Sequence, residues 1–185
     1  MRVPDSTASL IFRAWREDDL PLARALWGDP RVSPFDDAAI AERLEFELHN
    51  QREHGFAYWP IFTLGGEHVG CCGLKPKPRE PSLGIHELGF YLRPAFWGRG
   101  LAVEASRSAI AHAFGALGAA VLFAGHHPEN HGSRRTLEKL GFRYTHDEHY
   151  PPTGLMHPGY ELVRTSEHQT SGQTEGRSDS SSLRP

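Results

Sequence analysis

Three features of this sequence predict a mixed α/β fold whose sheet is mostly antiparallel, with helices on both faces. Segments of strand character alternate with segments of helical period. A Gly65-Gly66 pair separates two apolar runs in the first half. The second half reads strand, turn, helix, strand, helix, strand. That last order needs at least one parallel pair closed by a crossover, while the hairpin supplies antiparallel strands. A chain of 185 residues fits one domain with short appendages.

Residues 10–15 (LIFRAW) read as the first strand, rich in aromatic and β-branched side chains. Asp18 or Asp19 is placed to cap a helix running to Trp27, with Leu20, Ala23 and Trp27 on one face; Gly28-Asp29-Pro30 stops it. Asp36 or Asp37 opens a second helix through His54, in which Ile40, Leu44 and Leu48 recur every four residues. Residues 56–64 and 68–74 flank the Gly65-Gly66 turn as a hairpin. Residues 75–84, with Pro76, Pro78 and Pro81, read as a loop, and residues 85–92 (IHELGFYL) as the next strand. A glycine-bearing turn at 94–100 leads into a helix over 101–117, where Ala105, Ala109 and Ala113 form a smooth face that can lie close to a sheet. A strand at 121–126, a helix at 132–140 stopped by Gly141, and strands at 142–150 and 159–164 complete the body. Residues 1–9 form an N-terminal extension to the domain at 10–164. Residues 165–185 carry one large apolar residue, Leu183, and read as a disordered tail.

Composition narrows the function. Apolar residues make up 38% of the chain, enough for a core. The 20 Lys and Arg against 23 Asp and Glu leave a formal charge of −3, which disfavours nucleic-acid and polybasic membrane binding. No apolar run reaches the ~18 residues of a membrane span, and residues 1–9 lack the apolar core of a signal peptide. The only cysteines, Cys71 and Cys72, are adjacent; they form no disulfide framework and fit a reducing cytoplasm, packed in a strand as small hydrophobes. No metal site is expected: His146 and His149 on a strand point to opposite faces, and His126, His127 and His131 lack helical ligand spacing.

The chemistry centres on residues 88–104, LGFYLRPAFWGRGLAVE. A strand ends at Leu92, Pro94 prevents further ladder pairing, and Gly98 and Gly100 permit close approaches that a side chain would block. The helix that follows starts with free N–H groups and the positive end of its dipole, an anion site; Ala102 keeps its first turn accessible. A nucleotide P-loop would need Lys-Ser or Lys-Thr after the glycines, and neither is present. A dinucleotide fingerprint fits Gly98 and Gly100 but fails at Val103 and lacks the later acidic residue. A third reading is a diphosphate cradle, which the family resemblance that follows identifies with coenzyme A.

Trp97-Gly98-Arg99-Gly100-Leu101-Ala102 resembles motif A of the GNAT superfamily of N-acetyltransferases, [QR]-x-x-G-x-[GA], with Trp in place of Gln or Arg. The form P-x-x-W-G-x-G-x-A is similar to the branch containing the Rim-type ribosomal-protein acetyltransferases and related antibiotic-modifying enzymes. Residues 10–26 resemble that branch's first strand and helix. Glu87-Leu88-Gly89-Phe90 resembles its E-[LI]-G-[YF] strand, and PENHGSRRTLEKLGF at 128–142 its P-x-N-x-x-S-x-x-x-L-E-K-x-G-F segment. The resemblance covers residues 10–164 with the motifs in order. It implies a GNAT fold and direct transfer of an acetyl group from acetyl-CoA to a primary amine in a ternary complex. The acceptor would be a protein N-terminus or a small-molecule amine. A non-catalytic acyl-CoA sensor is the rival.

The resemblance also implies roles for single residues. Glu87 is the candidate general base, acting through water, or the group that binds the acceptor amine. Backbone N–H groups near Leu92 would serve the pantetheine amides and the thioester oxygen, and Asn130 the pantetheine arm. Many relatives carry an acidic tyrosine where this chain has Leu137; Ser133, one turn earlier, would meet the departing sulfur, with Tyr144 and Tyr150 as weaker candidates. Ser133 is equally suited to capping its helix. Arg93, Arg99, Arg134 and Arg135 are candidates for phosphate contacts, at least half of them expected on a solvated face. The acceptor site is expected partly from residues 27–37 and from a loop at 151–157. The oligomeric state is left as monomer or homodimer.

Overall fold

The computed structural model describes residues 2–33, 35–77 and 85–165. Seven strands form one sheet: β1 (Leu10–Phe12), β2 (Tyr58–Thr63), β3 (His68–Pro76), β4 (Ile85–Leu92), β5 (Val121–Gly125), β6 (Arg143–Tyr150) and β7 (Leu155–Val163). Their order is β1-β2-β3-β4-β5-β7-β6, and β4 with β5 is the parallel pair the sequence demands. The helices are α1 (Leu20–Trp27), α2 (Asp37–Glu53), α3 (Leu101–Gly115) and α4 (His131–Lys139).

Local signals place most elements. Asp36 caps α2 by accepting the Ala39 N–H at 2.8 Å. The hairpin turns at Gly66, whose φ of +86° needs glycine, closed by Gly66 N–H to the Thr63 carbonyl at 2.9 Å. Ala105, Ala109 and Ala113 are fully buried against the sheet, as their spacing requires.

Four expectations are not met, the first three because of contacts with other segments and the last because of a local turn. β1 ends at Phe12 rather than 15, because Trp15 turns inward to donate its indole N–H to the Tyr58 carbonyl at 2.6 Å. Asp19 gives α1 no side-chain cap: its carboxylate accepts both Arg13 Nη atoms at 2.6 and 2.7 Å and the Arg16 N–H at 2.8 Å. β3 continues through Lys75 and Pro76, which pair with Glu87 and His86. Residues 78–84 of the expected loop, including Pro78 and Pro81, lie outside the described residues, as does the expected tail from 166 onward. β7 begins at Leu155 because residues 151–154 form a tight turn, with Gly154 N–H to the Tyr150 carbonyl at 3.0 Å.

The sheet divides two cores. On one face α3 and α4 cover Cys72, Leu74, Leu88 and Leu122. On the other α1 and α2 cover Tyr58, Ala57 and Cys71. Strand alternation sends the adjacent thiols to opposite faces. Burial raises both, Cys72 to about 12, so neither is a ready thiolate.

An ion pair lies inside the second core. Glu47 is fully buried; its Oε1 accepts Arg43 Nε at 2.8 Å and its Oε2 the Tyr58 backbone N–H at 2.8 Å. Burial drives the Glu47 pKa up, and the Arg43 guanidinium opposes that. Arg43 stacks between the Trp27 and Tyr58 rings, 5.3 and 5.2 Å from their centroids. The pair thereby ties α2 to the start of β2 and sets Tyr58 over β4. A Cβ on Gly89 would sit 2.3 Å from Tyr58 Cζ, so only glycine lets that ring lie on the strand.

His68 supplies a pH test of this core. It is 5% exposed, donates Nε2–H to the Gly70 carbonyl at 3.0 Å, and leaves Nδ1 buried without a partner. Burial, then the nearby Arg93 charge, lower its pKa to about 4. Between that value and the ~6.5 of a free imidazole, the unfolded chain binds a proton that the native state refuses. Stability therefore rises with pH across that window and is lost on acidification. His86 and His112, also lowered by burial, act in the same sense. Urea midpoints measured from pH 7 to 4 fall steeply, and the His68→Gln variant shows a shallower slope.

Candidate active site

β4 and β5 pair at only three positions, Ile85↔Val121, His86↔Leu122 and Glu87↔Phe123. β3 follows β4 further, to Gly70↔Leu92. Past Glu87, then, the β5 side of β4 is open. Arg93 N–H bonds the Val69 carbonyl at 2.9 Å, so alternation turns residues 91 and 93 toward β3 and the main chain of Phe90 and Leu92 into the opening. The Leu92 carbonyl accepts Trp97 Nε1–H at 2.7 Å. Among the described residues the N–H groups of Phe90 and Leu92 have no strand partner, and such donors need water or a ligand.

The opening runs toward the glycine turn. After a 3-10 turn at Pro94–Phe96, Gly98 and Gly100 adopt φ of +73° and +78°, and α3 starts at Leu101. A Cβ on either glycine meets no atom within 4 Å, so the requirement there is conformational and the space above is clear. The first intrahelical bond is Glu104 N–H to the Gly100 carbonyl at 3.1 Å, which leaves the N–H groups of Leu101, Ala102 and Val103 as free donors. Glu104, the acidic residue of this turn, is drawn off by the N-terminal segment: its Oε1 accepts Thr7 Oγ1 at 2.5 Å and Ser9 N–H at 2.8 Å. The helix end is thus free for an anion. Trp97, at the family's Gln or Arg position, is half-exposed and clamps the turn to the end of β4. Arg99 lies over Phe96 at 5.4 Å. Arg93 is held on the His68 carbonyl at 2.8 Å and Arg134 on Glu138 at 2.9 Å. Among the described residues Arg99 and Arg135 carry no ion pair, which makes them the phosphate-facing candidates of the four.

Asn130, not Ser133, caps α4: its Oδ1 accepts Ser133 N–H at 2.9 Å. Among the described residues Asn130 Nδ2 and the Ser133 hydroxyl have no partner, so both can serve a ligand. Leu137, at the relatives' tyrosine position, is buried in the core. Glu87 lies on the face of β4 shared with Gly89 and Tyr91, its Oε1 3.0 Å from Lys75 Nζ. Tyr91 is partly buried against the second core, and desolvation raises its phenol to about 12. Of the two tyrosines weighed from the sequence, Tyr144 packs on Tyr160 and donates to Asp147 at 3.2 Å, while Tyr150 packs on His157, ring centroids 4.7 Å apart. Residues 155–157, expected in a loop, are part of β7. Sequence reasoning passed over Lys75, Tyr58 and Tyr91. The period of two along β4 exposes Tyr91 as a face-mate of Glu87; Lys75 and Tyr58 need strand register.

The chain is similar to known acetyltransferases. The acetyltransferase (GNAT) domain family matches residues 9–143. The N-acetyltransferase p20 of Bacillus licheniformis is 28% identical over 145 residues, covering 74% of this chain and 80% of that protein. An acetyltransferase from Agrobacterium tumefaciens superimposes with a TM-score of 0.76 at 23% identity, over 89% of this chain and 96% of that one. RimJ of Mycobacterium smegmatis, solved with a CoA disulfide, gives 0.71 at 19% identity, over 91% and 90%. The last two likenesses are of fold.

The cap assignment has a direct check. Asn130→Ala lowers unfolding stability by about 1 kcal/mol, the usual effect of losing an N-cap. Ser133→Ala leaves stability within measurement error. The reverse order would place the cap at Ser133.

Proposed function

The chain belongs to the GNAT family of acetyltransferases and is an acetyl-CoA-dependent enzyme; from that premise we propose how its residues work and what they acetylate. The acceptor is a primary amine, a protein N-terminus or a small-molecule amine, acetylated directly in a ternary complex. The observation that carries this reading is the pair of unpartnered N–H groups, Phe90 and Leu92, in an opening that runs toward the free N-terminus of α3. An extended pantetheine arm matches those donors, and a diphosphate matches the helix end.

In this reading Gly98, Arg99, Gly100, Leu101 and Ala102 hold the diphosphate, mainly through main-chain N–H groups. Trp97 keeps the turn in place. The Leu92 N–H serves the pantetheine arm or the thioester oxygen, and Asn130 Nδ2 donates to the arm. The Ser133 hydroxyl meets the sulfur as it leaves. Glu87, already paired with Lys75, receives the acceptor's ammonium group by exchange. Cys71 and Cys72, buried and raised, supply no acetyl-enzyme intermediate. Positioning two bound substrates supplies most of the rate.

An α-amine, which titrates near ~8, is deprotonated more readily than a lysine near ~10.4, and this favours a protein N-terminus. Structural neighbours point the same way: RimL is described as a ribosomal L7/L12 alpha-N-protein acetyltransferase. Two buried free thiols suit the cytoplasm. The charge of −3 supports neither nucleic acid nor an anionic membrane as partner. Among the described residues no helix is long and apolar enough to cross a membrane. The enzyme works as a monomer or a homodimer.

Calorimetric titration with acetyl-CoA, followed by thiol release over a panel of amines, tests the reading. The expected result is binding together with turnover of at least one amine; binding without any turnover would make the protein an acyl-CoA sensor. Gly100→Ala, whose φ of +78° an alanine adopts only at about 1–2 kcal/mol, weakens acetyl-CoA binding at least tenfold in the same titration. Glu87→Gln raises the acceptor KM and leaves acetyl-CoA affinity unchanged; a fall in kcat at constant KM would instead make Glu87 the base.

A further inference from the structure

The opening has a second wall, which none of these roles uses. Gly125 of β5 pairs with Gly159 of β7. Two residues beyond each, His127 and His157 meet, ring centroids 5.5 Å apart and planes at 76°. On the other side of the gap, β4 carries Tyr91 on the face it shares with Glu87, the last residue of β4 paired with β5. Tyr150 lies against His157 at 4.7 Å, and its phenol is near enough to Tyr91 to help raise that group. Two imidazoles and two phenols therefore flank the end of the opening where the Leu92 N–H is exposed.

The hydrogen bonds of the two rings suit proton transfer. His127 Nδ1 accepts Glu129 N–H at 3.2 Å, so the neutral ring carries its proton on Nε2. His157 Nε2 shares a proton with Thr153 Oγ1 at 2.9 Å, leaving Nδ1 as its second site. Both rings are only partly buried. The charged and titratable groups around them are Tyr150 and Glu148 of β6, His126 after β5, Tyr91 of β4 and Lys77 after β3. Lys77 is bound to Glu148 at 2.6 Å. Burial, then the like charges of His127 and His126, hold the His157 pKa below its ordinary value. The two rings lie edge to face within reach of one bridging water or substrate nitrogen, so either nitrogen can take up the same proton.

We propose that the His127–His157 pair is the proton acceptor of acetyl transfer and returns that proton to the leaving thiolate. The proposal rests on the acetyltransferase reading above. The acceptor's ammonium group first gives one proton to water; the amine lone pair then attacks the thioester carbon, forming the C–N bond and sending the carbonyl π pair to oxygen. The pair takes a proton from the resulting ammonium nitrogen. The oxyanion reforms the carbonyl, the C–S bond breaks with its electrons on sulfur, and the imidazolium protonates the thiolate. The pair ends neutral, as it began. No separate acid is required, which accounts for a buried Leu137 where relatives place a tyrosine.

The experiment uses the full chain and the panel amine that the wild type turns over fastest. His157→Ala and, as a second variant in the loop after β5, His127→Gln each lower kcat by about 100-fold or more, the usual range for a general base. Acetyl-CoA affinity stays within twofold. Added imidazole partly restores His157→Ala, which a packing role would not allow. The wild-type kcat/KM profile falls on the acid side below the pKa of an ordinary histidine, and this limb is lost in the variants. His49→Gln, at an exposed position on α2, serves as control and is unaffected. Variants that retain kcat within threefold, or keep the acidic limb, overturn the pair and leave the acetyltransferase reading standing. A wild type that turns over no amine overturns that reading and the proposal with it.

Discussion

The parting of β4 from β5 after three pairs is the constraint on which the site depends. β4 is held to β3 along its length and β5 to β7, so each strand follows its own antiparallel partner once the parallel contact ends. A closed ladder there would consume the N–H groups of Phe90 and Leu92. The split leaves main-chain donors in a row, backed by a packed core, with a helix N-terminus at the end. The proposed recognition by main chain fits a turn that demands glycine conformations at Gly98 and Gly100 but tolerates tryptophan at the first motif position.

Buried polar contacts hold that split in register. Glu47 fixes the backbone of Tyr58, Arg43 packs on the rings around it, and Tyr58 lies across Gly89 in the middle of β4. Removing one partner of such a pair leaves a charge without compensation, typically a loss of about 3–5 kcal/mol. The face of β4 that carries Glu87 and Tyr91 is thus supported from α2. The opposite face is supported from α3 through its alanine stripe. Two substrates can then approach one opening from two sides of the sheet.

How much of this the sequence revealed depends on the range of the interaction. The hairpin at Gly65-Gly66, the Asp36 cap, the alanine face and the glycine turn are set within a few residues, and all were legible. The end of β1, the ion pair of Asp19 and the early start of β7 depend on Trp15, Arg13 and a tight turn meeting distant or competing partners; a single chain segment does not disclose them. Glu87 was legible as a candidate, but its pairing with Lys75 needs the β3–β4 register. His127 stood out only as one of many histidines. Its partner His157 emerges from the β5–β7 register, thirty residues away in sequence.

The central claim is that main-chain N–H groups in the β4–β5 opening and at the start of α3 receive acetyl-CoA. Amide hydrogen exchange read residue by residue, with and without acetyl-CoA, addresses it directly. The account requires slowed exchange at Phe90, Leu92 and Leu101 to Val103, with little change on β1 and β2. Protection confined to another part of the molecule, with these amides unchanged, would contradict it.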